Sequence, residues 1–216
     1  DPASDQQVRE KKLDTTSDPA TYCQGIGVAA GYIWACSATD AGTDIVRIDP
    51  ETLEIVATVP ARKIHEQLRL PFLADRVWVL SGDGNQLVGI DTSSNEAGQP
   101  IDLGKRCFQL AATGSAIVAT CTLDDTVLLL DPATGQIIAQ ATLNEPRLVA
   151  ADDQAVWVGF AQGVAWLDAR DLTQVATFKG MSPGTGGDLY TTGDEVWVRK
   201  SGSSDLYHID PATKTI

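Results

Sequence analysis

The chain has two histidines, His65 and His208, and these are its candidate general bases near neutral pH. His65 stands beside Glu66, the pairing a lyase or hydrolase centre needs to take and return a proton. His208 falls inside a β-type run, so the two histidines do not point to one centre. No cysteine stands out as a lone nucleophile. Asp83-Gly84-Asn85 and Asp124-Asp125 carry oxygens of the kind calcium takes, but hairpin turns use the same residues. Residues 179–187 are glycine-rich and read as a mobile or ligand-shaped loop, without the Lys-Ser/Thr that cradles a phosphate. Little here makes or breaks bonds. Binding chemistry is better represented, and no metal or cofactor is expected.

Four cysteines stand at 23, 36, 107 and 121, with no Cys-x-x-Cys pair, so a structural zinc site is poorly supported. Each spacing brackets a short turn. A three-residue loop at 113–115 sets Cys107 opposite Cys121, and an even loop centred between Ala29 and Ala30 sets Cys23 opposite Cys36. Opposed residues on adjacent strands lie within disulfide reach. The expected bonds are therefore Cys23–Cys36 and Cys107–Cys121; the alternative is four buried thiols. Disulfides imply an oxidising compartment: secreted, periplasmic or cell-surface.

These residues need a scaffold. The chain has 216 residues and a net charge of −13, enough length for a sizeable core and the wrong sign for a nucleic-acid partner. No apolar run approaches the roughly 18 residues that cross a bilayer. Residues 1–21 are polar, show neither a basic start nor an apolar core, and read as a tether, such as a stalk from an upstream anchor.

The rest repeats. An apolar segment ending in Asp, mostly followed by Pro and Thr, recurs at Asp49, Asp91, Asp131, Asp168 and Asp210, spaced 42, 40, 37 and 42 residues apart. Ahead of each lies a β-type triplet: Ile33-Trp34-Ala35, Val77-Trp78-Val79, Ile117-Val118-Ala119, Val156-Trp157-Val158 and Val196-Trp197-Val198. A period near 40 residues, with short alternating strands broken by Gly, Asp, Asn and Pro, predicts the blades of an all-β propeller. The repeated Asp is expected to cap a turn and the repeated Trp to pack between blades, rather than to form a carboxylate array or an aromatic binding surface.

The motif resembles the YVTN-type and NHL-like propeller repeats, which read V-W-V and then V-x-x-I-D-P-x-T-G. The likeness runs over about 22–216 and departs at Asp168-Ala169-Arg170 and at Thr92. It implies five visible four-stranded blades at about 22–60, 65–103, 107–143, 147–178 and 187–216, with strands A to D from the inside outward. The last blade is cut short in its fourth strand, so a fragment of a six- or seven-bladed ring is favoured over a five-bladed one. Streptogramin lyases, which resemble this chain, pair histidine with an acid and a divalent metal. Two histidines on different blades match that pattern poorly.

In such blades the D–A and B–C loops share one face. Arg62, Lys63 and His65, Lys105 and Arg106, Arg147, and Lys179 fall in D–A loops, and Arg199 and Lys200 in a B–C loop. Asp40, Asp44, Asp83, Asp124 and Asp125 fall in B–C loops. A cationic mouth inside an acidic rim would capture a carboxylate, a sulfate or an acidic sugar. The expectation is a non-catalytic extracytoplasmic propeller binding an anionic small molecule, glycan or protein there. The alternatives are a lyase or hydrolase using His65 and Glu66, or a structural surface module.

Overall fold

The computed structural model describes residues 9–13, 24–40, 42–61, 67, 69–184 and 186–216. Sheet 1 holds β1 (Ile26–Ala29), β2 (Tyr32–Thr39), β3 (Gly42–Ile48) and β4 (Ile55–Pro60). Sheet 2 holds β5 (Phe72–Leu73), β6 (Arg76–Ser81), β7 (Gln86–Asp91) and β8 (Ile101–Asp102). Sheet 3 holds β9 (Gln109–Ala112), β10 (Ile117–Cys121), β11 (Thr126–Leu130) and β12 (Ile137–Thr142). Sheet 4 holds β13 (Leu148–Ala151), β14 (Ala155–Phe160), β15 (Gly163–Asp168) and β16 (Gln174–Lys179). Sheet 5 holds β17 (Asp188–Thr191), β18 (Val196–Arg199) and β19 (Leu206–Ile209). Strands within each sheet run in chain order and pair antiparallel, four in each of the first four sheets and three in the fifth.

Strands alternate side chains between two faces, so each sheet offers one face to the sheet before it and one to the sheet after. Trp34, Ile45 and Val59 of sheet 1 meet Val77, Val79 and Ile90 of sheet 2. Trp78, Leu80 and Leu87 of sheet 2 meet Leu110, Ile117 and Leu128 of sheet 3. Val118, Val127 and Leu129 meet Val156, Val158 and Leu167 of sheet 4. Trp157, Val164 and Phe178 meet Leu189, Val196 and Val198 of sheet 5. The innermost strands β9, β13 and β17 adjoin in turn, and the outermost strands β4, β12 and β16 are largely exposed. This is a β-propeller, as the repeat predicted. The tryptophan positions serve the interfaces: Trp34, Trp78 and Trp157 are at most 1% exposed.

The repeated aspartates cap turns. Asp49 Oδ1 accepts from the N–H of Glu51 at 2.8 Å and of Thr52 at 2.9 Å. Asp91 does the same with Ser93 and Ser94, Asp131 with Ala133 and Thr134, and Asp210 with Ala212 and Thr213. The residue four places on is left-handed every time: Leu53, Asn95, Gly135, Leu172 and Lys214. That conformation closes the loop, so that the N–H of Asp49, Asp91, Asp131, Asp168 and Asp210 reaches the carbonyl five residues later at 2.9–3.0 Å.

Both hairpin registers at the cysteines differ from expectation. β1 and β2 are joined by a two-residue turn at Ala30-Gly31, with φ of 50° and 79°, a type I′ geometry that suits the strand twist. Gly25, not Cys23, then stands opposite Cys36, whose N–H bonds to the Gly25 carbonyl at 2.8 Å. Cys36 is disulfide-bonded, whereas Cys23 lies outside the described residues. The β9–β10 turn likewise has two central residues, Gly114-Ser115, because Thr113 Oγ1 accepts from the N–H of Ser115 and Ala116. The register slips by one where Phe108 N–H bonds to the Thr120 carbonyl, and the slip carries Cys107 to Cys121, to which it is bonded.

Of the polar leader, Leu13 packs against Ala35, Val46 and Ile48, and Ser37 Oγ donates to the Leu13 carbonyl at 2.6 Å.

Candidate functional site

At the mouth of the central channel lies a cavity of about 1070 Å³. Gln24 and Ile26 reach it from sheet 1, Arg69 from just before β5, Phe108, Gln109, Leu123 and Asp125 from sheet 3 and its loops, Asn144, Glu145, Arg147 and Leu148 from the approach to sheet 4, and Gly186, Gly187, Asp188 and Arg199 from sheet 5.

The loop carrying Arg147 is held by sheet 3. Asp125 Oδ1 accepts from the Glu145 N–H at 2.8 Å, and Thr122 Oγ1 donates to the Pro146 carbonyl at 2.6 Å. The Asp125 carboxylate, a possible calcium oxygen by sequence, is thus engaged in fixing a loop.

Among the described residues three arginines line the cavity, each tied locally. Arg147 Nη2 lies 2.7 Å from Glu145 Oε2. Arg69 Nη2 lies 2.9 Å from Asp188 Oδ1, and its guanidinium stands over the Tyr190 ring at 5.4 Å. Arg199 Nη2 donates to the Gly186 carbonyl at 2.9 Å. With Asp125, Glu145 and Asp188 the wall alternates in sign, rather than forming a cationic centre with a separate acidic rim. Both ion pairs are partly solvated, so each is worth little on its own.

Among the expected site residues, Arg147 and Arg199 line the cavity, and Lys105, Arg106, Lys179 and Lys200 do not. Arg106 instead stands over the Phe108 ring at 5.3 Å. Arg62, Lys63, His65 and Glu66 lie outside the described residues, as does Thr185. His208 sits on β19, stacked on Trp197 at 4.5 Å, and does not reach the cavity.

Sequence reasoning missed Arg69. It follows Gln67, which is 1% exposed and behaves as a strand residue through its side chain. The Gln67 amide accepts from Leu80 N–H at 2.5 Å and donates to the carbonyls of Trp78 at 3.2 Å and Arg69 at 2.7 Å. That irregular stretch places Arg69 beside Ile26 in a parallel bridge and turns it inward. A cation between two leucines, Leu68 and Leu70, just ahead of an innermost strand was the available signal.

The glycine-rich loop 179–187 is packed where its described residues are placed. Met181 is 1% exposed within the sheet 4–5 core, Ser182 Oγ donates to the Phe160 carbonyl at 2.9 Å, and Ser201 N–H to the Pro183 carbonyl at 2.8 Å. A Cβ at Gly187 would meet Pro183 O at 2.2 Å and Arg199 O at 2.5 Å, so close backbone approach explains that glycine.

The capping aspartates are acidic. Hydroxyl and backbone donors at Ser93 and Ser94 hold Asp91 far below the ordinary carboxylate value. The Arg170 guanidinium, then its N–H, lowers Asp168 to about 2. Both carboxylates serve their own turns, as expected of caps.

No family model and no curated protein sequence matches the chain. Among solved structures it is similar to BamB from Moraxella catarrhalis at TM-score 0.68 and 16% identity, over 96% of this chain and 64% of that one. It is similar to Kuenenia stuttgartiensis hydrazine synthase at TM-score 0.72 and 12% identity, over 95% of this chain and 66% of that one. A third likeness is the Neurospora crassa Pan2 WD40 domain, at TM-score 0.65 and 11% identity, over 94% of this chain and 82% of that one. The chain thus spans about two thirds of the length of the first two. At these identities the likeness is one of fold, and the chain is a β-propeller.

Proposed function

We propose that this protein is a non-catalytic binding propeller acting outside the cytoplasm, with residues 1–21 as a tether, and that its central cavity takes an anionic group of a ligand or protein partner. The V-W-V and I-D-P-x-T segments support a place among the YVTN- and NHL-like repeats. The observation that carries the reading is the convergence of Arg69, Arg147 and Arg199 on one cavity in a chain of net charge −13. A guanidinium presents five N–H donors, and each of these engages its local partner through one terminal nitrogen, which leaves a fork suited to carboxylate or sulfate. The neighbouring carboxylates favour ligands that also bring a cation or a hydroxyl, such as an acidic peptide segment or a charged sugar. The disulfides support an oxidising location.

The test is calorimetric titration with sulfate, a uronic-acid oligosaccharide and a glutamate-rich peptide, at low and physiological salt. At least one binds, more weakly at higher salt, and each of Arg147→Gln and Arg199→Gln lowers its affinity about tenfold. Affinity unchanged in the double variant overturns the reading.

A further inference from the structure

The outermost strand of each of the first four sheets turns one row of backbone groups to the outside, and the pairing says which residues form it. Leu143 N–H donates to the Asp125 carbonyl at 3.0 Å, as Ala61 does to Thr43 at 3.2 Å, Leu103 to Asn85 at 2.9 Å and Gly180 to Gln162 at 3.1 Å. Backbone groups of an antiparallel strand alternate in direction. The residue before each of these donors therefore faces outward: Pro60, Asp102, Thr142 and Lys179. Two places earlier the outward residues are Thr58, Pro100, Gln140 and Thr177.

Sheets 1, 2 and 4 block that row. Pro60 offers no N–H, β8 is two residues long and has Pro100 before it and Asp102 within it, and Lys179 puts a charge on the edge. Proline, shortness and charge are the devices that keep an edge strand from pairing with another chain. β12 has none of them. It is six residues long, residues 132–144 carry no charge, and Ile137, Ile138, Gln140 and Thr142 are exposed. Sheet 3 packs against sheet 2 on one face and sheet 4 on the other, and its four strands are all present, so this edge is a finished feature of its blade.

We infer that the outer edge of β12 is the contact through which two copies of this chain associate. The copies meet antiparallel about a two-fold axis at Gln140. Gln140 then faces the partner's Gln140, and Thr142 faces the partner's Ile138, so β-branched side chains stand opposite one another while backbone bonds close across the axis. Two four-stranded sheets become one of eight. The strand is its own complement in this register, which favours a second copy as the occupant. Charge favours it too: in a chain of net charge −13, the uncharged 132–144 segment lets two copies approach without like charges facing at the seam. No residue of β12 lines the central cavity, so the contact is independent of anion binding there. An edge contact is smaller than a standard interface, so the dimer is weak, with half-association on the order of 100 µM.

The experiment is sedimentation velocity of the full chain from about 1 to 500 µM, with residue-resolved amide exchange at both ends of that range. The average mass climbs from the monomer's toward twice that value. The Gln140 and Thr142 amides exchange fast in dilute protein and about threefold more slowly in concentrated protein, whereas those of Ala141 and Leu143, bonded on the inner side, stay slow throughout. Thr142→Pro removes an outward N–H and no inner bond, as Pro60 does in sheet 1. Gln140→Lys sets two ammonium groups against each other across the axis at an exposed position, and does so without any backbone cost from proline. Both variants stay monomeric over the whole range, and Thr58→Lys, the matching change in sheet 1, associates like the parent. A monomer at every concentration overturns the proposal. Gln140 and Thr142 amides that are slow in dilute protein would show the edge covered within one molecule and overturn it as well. Association that survives Thr142→Pro and Gln140→Lys would put the contact on another surface and overturn it equally.

Discussion

Arg47 of β3 reaches across to the next sheet, where its Nη1 lies 3.1 Å from Asn95 Oδ1 and 3.0 Å from the Thr92 carbonyl. Asn95 is the left-handed residue four places after Asp91. The same relationship recurs between sheets 4 and 5, where Lys214, four places after Asp210, stands 5.5 Å over the Trp166 ring. The residue paired with the blade tryptophan thus grips the following turn. Arg47→Leu is expected to lower stability by about 2 kcal/mol, since it removes charge-assisted bonds and the stack on Tyr32 at 3.6 Å. Chemical denaturation of the variant against the parent measures this, and a loss near zero would mean the grip adds nothing to packing.

Gln67 is the second point of leverage. Its amide occupies the place of a peptide group beside β6, so Gln67→Leu strands the Leu80 N–H and the Trp78 carbonyl inside the core. A loss of about 2–3 kcal/mol follows from one buried donor and one buried acceptor left unpaired. Glu at the same position restores the acceptor only, and should recover part of the loss at best. Thermal unfolding of the two variants ranks them.

Turn conformation gives a prediction of opposite signs. Gly135 has φ of 72°, and an added Cβ would lie 2.7 Å from Ile101 Cγ2, so Gly135→Ala is expected to cost about 1–2 kcal/mol. Lys214 has φ of 55° and is exposed, so Lys214→Gly should be neutral to stabilising by up to about 1 kcal/mol, less whatever its contact with Trp166 contributes. Differential scanning calorimetry should move the two midpoints apart. Equal shifts would contradict the conformational account.

Acid should loosen these turns. Asp49, Asp91, Asp131, Asp168 and Asp210 all have folded-state values below the ordinary carboxylate range. Their stabilisation is therefore complete above the unfolded value of about 4 and declines as pH falls below it, for Asp168 down to about 2. The melting temperature should hold steady from neutral pH to near 5 and then fall. Asp168→Asn should flatten part of that fall; an identical acid limb in the variant would remove Asp168 from the account.

The blade period could be read directly, because the Asp turn and the tryptophan position each answer a local need that recurs in every sheet. Hairpin register was not legible. Ala29-Ala30-Gly31 admits more than one loop, and only the positive φ at both Ala30 and Gly31 fixes the two-residue turn. The cysteine pairing at Cys107–Cys121 was foreseen through a register one residue off, which the slip at Phe108 then corrected. The cationic mouth was read from loop membership alone. Loop side chains answer to their nearest neighbours, so Arg147 turned to Glu145 and Arg106 to Phe108, whereas Arg69 entered the cavity from a stretch too irregular to assign.

Because each core cluster joins only consecutive sheets, the molecule behaves under load as a stack with a clasp. Tension applied to sheet 5 meets the Arg69–Asp188 contact and the Trp157–Leu189 interface before it reaches the other cores. Sheets 4, 3 and 2 are each shielded by the one after it, so extension should proceed in discrete steps of one blade, beginning at sheet 5. Loss of sheet 5 in the first step would leave the cores that join sheets 1 to 4 intact.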